Sequence, residues 1–446
     1  MKYLQIILSL GLAVSSQAAM GGGHNGAAGN SVPVGSVSAA EFEQLKANFV
    51  SLQTNFVDLA SRFNALESEN TRLRQGQVEN QSAVAEIRST QEASSRETWA
   101  DRISIKGDFR YRYQNDDVDL DGINSRNRQR IRARPAVTAR LPANIEVGFG
   151  LATGSDSPVS ANQTIGGTGS SKDINLDLAY FSWGTPVEGL TVEAGKFKNE
   201  FVRAGGNGLL YDSDWRPEGA QLLYQRGLLF GNVLATYLEA DGSDGRGEQF
   251  AWGAQAGIRT DVGPARLRAG ASYFDIRVKG ETCLLEADEC FGNTPVADPN
   301  NPGDFLYAND FSLIEGFAEL DFEFFGLPTQ LFADYVVNDD ADANDTGYAV
   351  GGRIGKVGSR GSWEAGYLWE DLEADAVLGV LTDSNFGGGG TDSKGHKMSA
   401  AYGLTDSSYV RMTYFLTERQ DTNGLENGGE KFDVDILQLD LQFKYK

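Results

Sequence analysis

The sequence predicts an all-β transmembrane antiparallel β-barrel of about 16 strands, preceded by an α-helical coiled coil. From Asp101 to the C-terminus, apolar and polar residues alternate with period two, as in a strand with two unlike faces. The links between these segments are long and polar, then short, by turns, as a closed up-and-down barrel requires. Ahead of them, Phe and Leu recur every seven residues, the period of a supercoiled helix.

The chain begins with Met1-Lys2, an apolar run from Leu4 to Val14, and Ser16-Gln17-Ala18. Residues 1–18 read as a secretory signal peptide cleaved after Ala18, since the run is too short to span a bilayer. Residues 19–40 are rich in Gly, Ser and Ala and read as a flexible linker, with His24 a solvated linker residue. Residues 41–98 read as a coiled-coil oligomerisation segment. Phe42, Phe49, Phe56 and Phe63 take one heptad position, and Leu45, Leu52, Leu59, Leu66 and Leu73 another. Bulky Phe at successive a positions favours a trimer, and Asn70 at an a position would set the register. An amphipathic helix packed on its own domain is the alternative, which the narrow stripe with polar flanks disfavours. About fifty helical residues would reach roughly 75 Å.

Residues 99–446 are assigned to the barrel. In "ISIKGDFRYRYQ", Ile103, Ile105, Phe109, Tyr111 and Tyr113 share one face, and Ser104, Lys106, Asp108, Arg110, Arg112 and Gln114 the other. The last strand repeats the pattern with Leu437, Leu439, Leu441, Phe443 and Tyr445. Long links are expected near 115–125, 153–173, 199–217, 240–248, 279–309, 338–345, 371–394 and 418–431, with tight turns between them. Apolar faces outward to lipid and polar faces inward to water then follow.

The segment "RNRQRIRARPAVTAR" places Arg126, Arg128, Arg130, Arg132 and Arg134 at alternate positions in a chain of net charge −23. An arginine facing lipid near the midplane costs about 2–4 kcal/mol, so these side chains, with Arg110 and Arg112, must line the lumen. Asp108, Glu146 and Asp177 are candidate wall partners for some of them, too few to absorb all. On the predicted tenth and eleventh strands, Glu315, Glu319, Asp321 and Asp334 form an acidic wall, with Glu323 on the same face. Eight or nine positions around a ring of sixteen, it would face the basic wall across the lumen. The third long link, "KNEFVRAGGNGLLYDSDWRPEG", mixes glycines with Leu209, Leu210, Tyr211 and Trp215. Such apolar anchors predict a loop folded inward as a constriction, with Asp212, Asp214 and Glu218 opposing the arginines.

Cys283 and Cys290, the only two cysteines, predict one local disulfide in an oxidising compartment. No metal site or cofactor is expected, because the chain has only two histidines. Nucleic-acid binding is disfavoured by the acidity. A barrel enzyme would need a Ser/His pair with an orienter. His396 has Ser393 and Ser399 nearby but no such partner, so the chain reads as no enzyme.

With these residues in view, the sequence resembles Gram-negative outer-membrane porins, and among them the family described as "putative porin". The resemblance rests on Trp99-Ala100-Asp101-Arg102, on Gly107-Asp108-Phe109-Arg110-Tyr111-Arg112-Tyr113, and on Ala194 to Asn199 ("AGKFKN"). It implies a sixteen-stranded barrel in outer-membrane lipid, a homotrimer, an inward third loop and passive diffusion of small hydrophilic solutes. The coiled coil would then lie in the periplasm, where it could also tether the barrel to other envelope layers. A solute-specific channel on the same scaffold is the other reading. One departure stands out. Such barrels commonly end in an aromatic residue, whereas this chain ends Phe443-Lys444-Tyr445-Lys446.

Overall fold

The computed structural model describes residues 38–94, 99–240 and 248–445. The predicted signal peptide and most of the predicted linker, with His24, lie outside the described residues. Two compact units divide the chain, residues 1–96 and 97–446.

In the first unit, one helix, α1, runs from Ala39 to Ser94. Its start is a capping box. The Glu41 N–H donates to Ser38 Oγ (3.3 Å), and the Ser38 N–H donates back to Glu41 Oε2 (2.9 Å). Fifty-six residues make it about 84 Å long. Every Phe and Leu of the heptad stripe from Phe42 to Leu73 is 53–68% exposed in the single chain. Among the described residues, no helix is long and apolar enough to cross a membrane.

The second unit is a closed barrel of sixteen antiparallel strands. In chain order these are β1 (Ile103–Val118), β2 (Arg126–Leu141), β3 (Ile145–Thr153), β4 (Ile174–Gly184), β5 (Leu190–Lys196) and β6 (Glu218–Arg226). There follow β7 (Leu229–Glu239), β8 (Gln249–Val262), β9 (Ala265–Ile276), β10 (Phe311–Phe324) and β11 (Leu327–Asn338). The ring ends with β12 (Thr346–Gly355), β13 (Trp363–Leu372), β14 (Ser393–Thr405), β15 (Ser408–Arg419) and β16 (Phe432–Tyr445). Each strand pairs with its chain neighbours, and β1 also pairs with β16, closing the ring. Closure leaves no free sheet edge, the condition for a sheet to cross lipid. Phe109, Val147, Phe149, Leu439 and Phe443 are among the exposed outward residues.

Long and short links alternate as expected. Loops 2, 3, 5 and 7 span 154–173, 197–217, 277–310 and 373–392. A two-residue strand in loop 2, Gln163–Thr164, pairs with Arg130 and Ile131. A small hairpin in loop 5 pairs Pro295–Ala297 with Phe305–Tyr307, and a disulfide joins Cys283 to Cys290 there.

The lumen is not polar all round, contrary to the reading of every strand as polar inside. On the side bounded by β7–β13, inward Leu234, Phe274, Leu313 and Leu368 are buried. They share one apolar cluster with Phe201, Leu209 and Trp215 of loop 3, Leu284 of loop 5 and Leu378 and Leu381 of loop 7. Three loops therefore fill that half, and burial of their apolar side chains holds them there at about 25 cal/mol per Å². Cavities remain along β14–β16 and β1–β4, and a further one of about 780 Å³ lies against β3–β7.

Candidate functional site

Strand alternation turns Arg110, Arg112, Arg128, Arg130, Arg132 and Arg134 inward together. At about 3.4 Å per residue, Arg126 to Arg134 spans roughly 27 Å along the strand, about 20 Å of the barrel's height at the usual strand tilt. Three adjoining cavities lie along this ladder. The first, about 550 Å³, is lined by Arg126, Arg128 and Arg130 on the long-loop side. The middle one, about 320 Å³, is lined by Arg110, Arg112 and Arg132. The third, about 500 Å³, takes Arg134 toward the tight-turn end. In the middle cavity Arg203, Lys397 and Arg411 add to the positive lining, against Asp212, Asp214, Asp383 and Asp440. The path is thus more basic than acidic although the chain is strongly acidic.

Wall carboxylates compensate most of the ladder, and of the three expected partners only Asp108 is among them. Arg112 forms a bidentate pair with Asp440 of β16 (2.6 and 2.8 Å). Arg132 and Arg134 share Asp108, and Arg128 pairs with Asp116. Arg110 lies 3.8 Å from Asp440. Arg130 has neutral partners, Gln114 Oε1 and the Asn162 carbonyl. The expected partners Glu146 and Asp177 turn elsewhere, because Tyr180 donates to Glu146 and Arg216 pairs with Asp177.

Loop 3 folds into the lumen and is fastened at both sides. The Val202 N–H donates to Gln255 (2.7 Å), the Gly205 N–H to Glu319 Oε1 (2.7 Å) and the Asn207 amide to Asp334 Oδ2 (2.7 Å). At its other end Asp214 accepts from Arg134 (2.7 Å) and lies 3.7 Å from Arg132. The acidic wall is thereby corrected. Glu315, Glu319 and Asp334 are only 3–4% exposed, and with Asp321 they line none of the three cavities. They do not face the arginines across water. A buried glycine-rich loop must find acceptors for its N–H groups, and Glu319 and Asp334 supply them, while Gln330 holds Asp321 (2.8 Å). What faces the ladder is loop 3 itself, with loop 7 beside it.

Of the loop residues expected at the constriction, Asp212 and Asp214 line the middle cavity. Glu218 does not. It is the first residue of β6, its side chain 63% exposed and paired with Lys196. Strand alternation puts it on the face opposite Gln221, which is buried against the Lys198 carbonyl of loop 3.

Sequence reasoning missed Asp383, Lys397, Arg203, Asn162 and all of loop 7. The Asp212 N–H donates to the Leu381 carbonyl (2.7 Å), and the Asp383 N–H to that of Gly208 (3.2 Å), so loops 3 and 7 are stitched together. The signal was present. "AVLGVLTDSNFGGGG" has the same mix of apolar anchors and glycines that marked loop 3.

This contact is expected to respond to pH. Burial, then the charges of Asp383 and Asp214, push the Asp212 carboxyl up to about 7. Burial acts on Asp214 and Asp383 too, but the arginines beside the first and Lys397 beside the second hold them below the usual range. A raised carboxyl favours the docked loop at low pH, and that stability is lost as pH rises through about 7. Current noise at about pH 8 is therefore expected to exceed that at about pH 5, with Asp212→Asn flattening the difference. Equal noise in the unmodified protein would contradict this.

A closed membrane-type barrel with a charged aqueous path and an infolded loop has the architecture of a channel. The sequence pattern of the family described as "Putative porin" matches residues 120–290 and 313–445, and the chain belongs to that family. It is therefore an outer-membrane channel. Among solved structures, the high-pH structure of Pseudomonas putida OprB is similar at 13% identity, covering 77% of this chain and 94% of that one with a TM-score of 0.53. A triple mutant of the Rhodopseudomonas blastica porin matches at 11% identity, covering 77% and 100%, with a TM-score of 0.42. No curated protein sequence matches the chain.

Proposed function

We propose that the chain forms a homotrimeric pore for passive diffusion of small hydrophilic solutes and ions across the outer membrane. The observation that carries the reading is the run of three adjoining charged cavities along the arginine ladder. Charged walls with fixed counter-charges order water across the path, which favours polar solutes and penalises apolar ones. The domain assignment completes the proposal, with residues 1–18 as signal peptide, 19–40 as linker, 41–98 as a trimeric coiled coil in the periplasm and 99–446 as the barrel. An apolar stripe more than half exposed along α1 supports it, since such a seam is buried against copies of itself.

Planar-bilayer recording of the purified protein tests the pore, with conductance steps in groups of three expected. No conductance at all would overturn it. The trimer has its own test. Phe49→Asp together with Phe56→Asp is expected to remove the α1 contribution to assembly, read as lower resistance of the oligomer to detergent dissociation. An oligomer of unchanged resistance would argue that α1 is not its seam.

A further inference from the structure

We propose that Arg110 and Arg130 form a binding subsite for a small oxyanion, of which inorganic phosphate is the probe. This deepens the channel reading and rests on it. Across the β1–β2 pair, Arg110 stands opposite Arg132, and Arg112 opposite Arg130. Like charges directly opposite on paired strands destabilise the pair, so this block of four needs acceptors. Asp440 serves Arg112 and, more distantly, Arg110. Asp108 and Asp214 serve Arg132. Among the described residues, none of the ion pairs includes Arg130, and its one other ladder-side contact is Gln114.

What joins Arg110 to Arg130 is Asn162 of loop 2. Its side-chain oxygen accepts from Arg110 and its main-chain oxygen accepts from Arg130 (3.2 Å). One neutral residue thus offers two oxygens to two guanidinium groups, the arrangement that two oxygens of a tetrahedral anion would reproduce with charge. Both arginines also have a buried Nε with no acceptor, a donor surplus that Asn162 does not satisfy. An anion brings the two guanidinium groups an opposite charge and forms ionic hydrogen bonds with them, which a neutral amide does not, so an anion entering here displaces Asn162 rather than competing with a carboxylate. The nearby carboxylates are occupied, Asp116 by Arg128 and Asp440 by Arg112.

The location suits transit. Asn162 lines both the first and the middle cavity, with Arg130 in the first and Arg110 in the second. An anion held between them is halfway from one to the next. A site along a conduction path must bind well enough to admit the ion and weakly enough to release it. Displaceable Asn162 meets both conditions.

The experiment uses the full-length protein, first in planar bilayers and then in detergent. In KCl, added inorganic phosphate is expected to reduce the chloride current in a saturable manner. Arg130→Gln should raise the half-blocking concentration about tenfold, the loss of one charged hydrogen bond. Asn162→Ala should lower it, because the Arg110 guanidinium loses its neutral side-chain acceptor and is freed for the anion, while the main-chain oxygen that faces Arg130 stays. A role for Asn162 in structure alone predicts the opposite sign or no change. Calorimetric titration of phosphate into the detergent-solubilised protein reads the same site without conduction. A protein that binds phosphate but passes no current would retain the subsite and sink the channel. A current indifferent to phosphate, or a half-blocking concentration unmoved by Arg130→Gln, overturns the subsite and leaves the channel standing.

Discussion

Replacing Gly205 with valine is expected to release loop 3 and raise the single-channel conductance severalfold. Gly205 has φ +62°, and a Cβ built on it would lie 2.1 Å from the Phe332 ring. Left-handed backbone costs an ordinary L-residue about 1–2 kcal/mol, and the ring contact adds to this. The same residue donates its N–H to buried Glu319, so moving it leaves a carboxylate without that partner. Buried charges stripped of a partner are costly. Loop 3 is held by three such contacts on this side, and the substitution strikes the middle one. Trp215, 7% exposed, should then report by a red-shifted fluorescence. The barrel's circular-dichroism signature should persist, because no strand hydrogen bond involves the loop tip. An unchanged conductance would mean that loop 3 does not limit the path.

Arg112→Ala is expected to destabilise the barrel by about 3–5 kcal/mol, the usual cost of leaving one partner of a buried ion pair alone. Arg112 and Asp440 are 7% and 5% exposed at their side chains and face each other across the β1–β16 seam that closes the ring. Removing the arginine leaves Asp440 with only Arg110, 3.8 Å away. The readout is the temperature at which the folded form is lost in detergent. Arg112→Leu combined with Asp440→Leu should recover much of the loss, since a well-packed apolar replacement of a buried pair is often neutral. If the single substitution is harmless, water reaches the pair and screens it.

Both predictions rest on contacts of different legibility. Arg112 was readable as inward from its place in "GDFRYRY", because alternation is a local property of a strand. Its partner was not, since Asp440 lies 328 residues away and is found only by counting the ring closed. Loop 3 declared itself by glycines beside Leu209, Leu210 and Trp215. Loop 7 carried the same signal unread. Glu319 and Asp334, expected to line water, accept from loop 3 instead. An acidic inward face can line water or anchor a loop, and only the loop's position distinguishes the two.

The sequence alone therefore determined the strands, their order and the heptad stripe of α1. All of these are periodic and depend on neighbours a few residues apart. The tertiary structure decided which carboxylate meets which arginine, how loops 3, 5 and 7 fill the β7–β13 half of the lumen, and that cavities remain along the arginine ladder. Those outcomes depend on where a long loop comes to rest. That is set by burial of scattered apolar anchors and by acceptors on distant strands, which no local periodicity encodes.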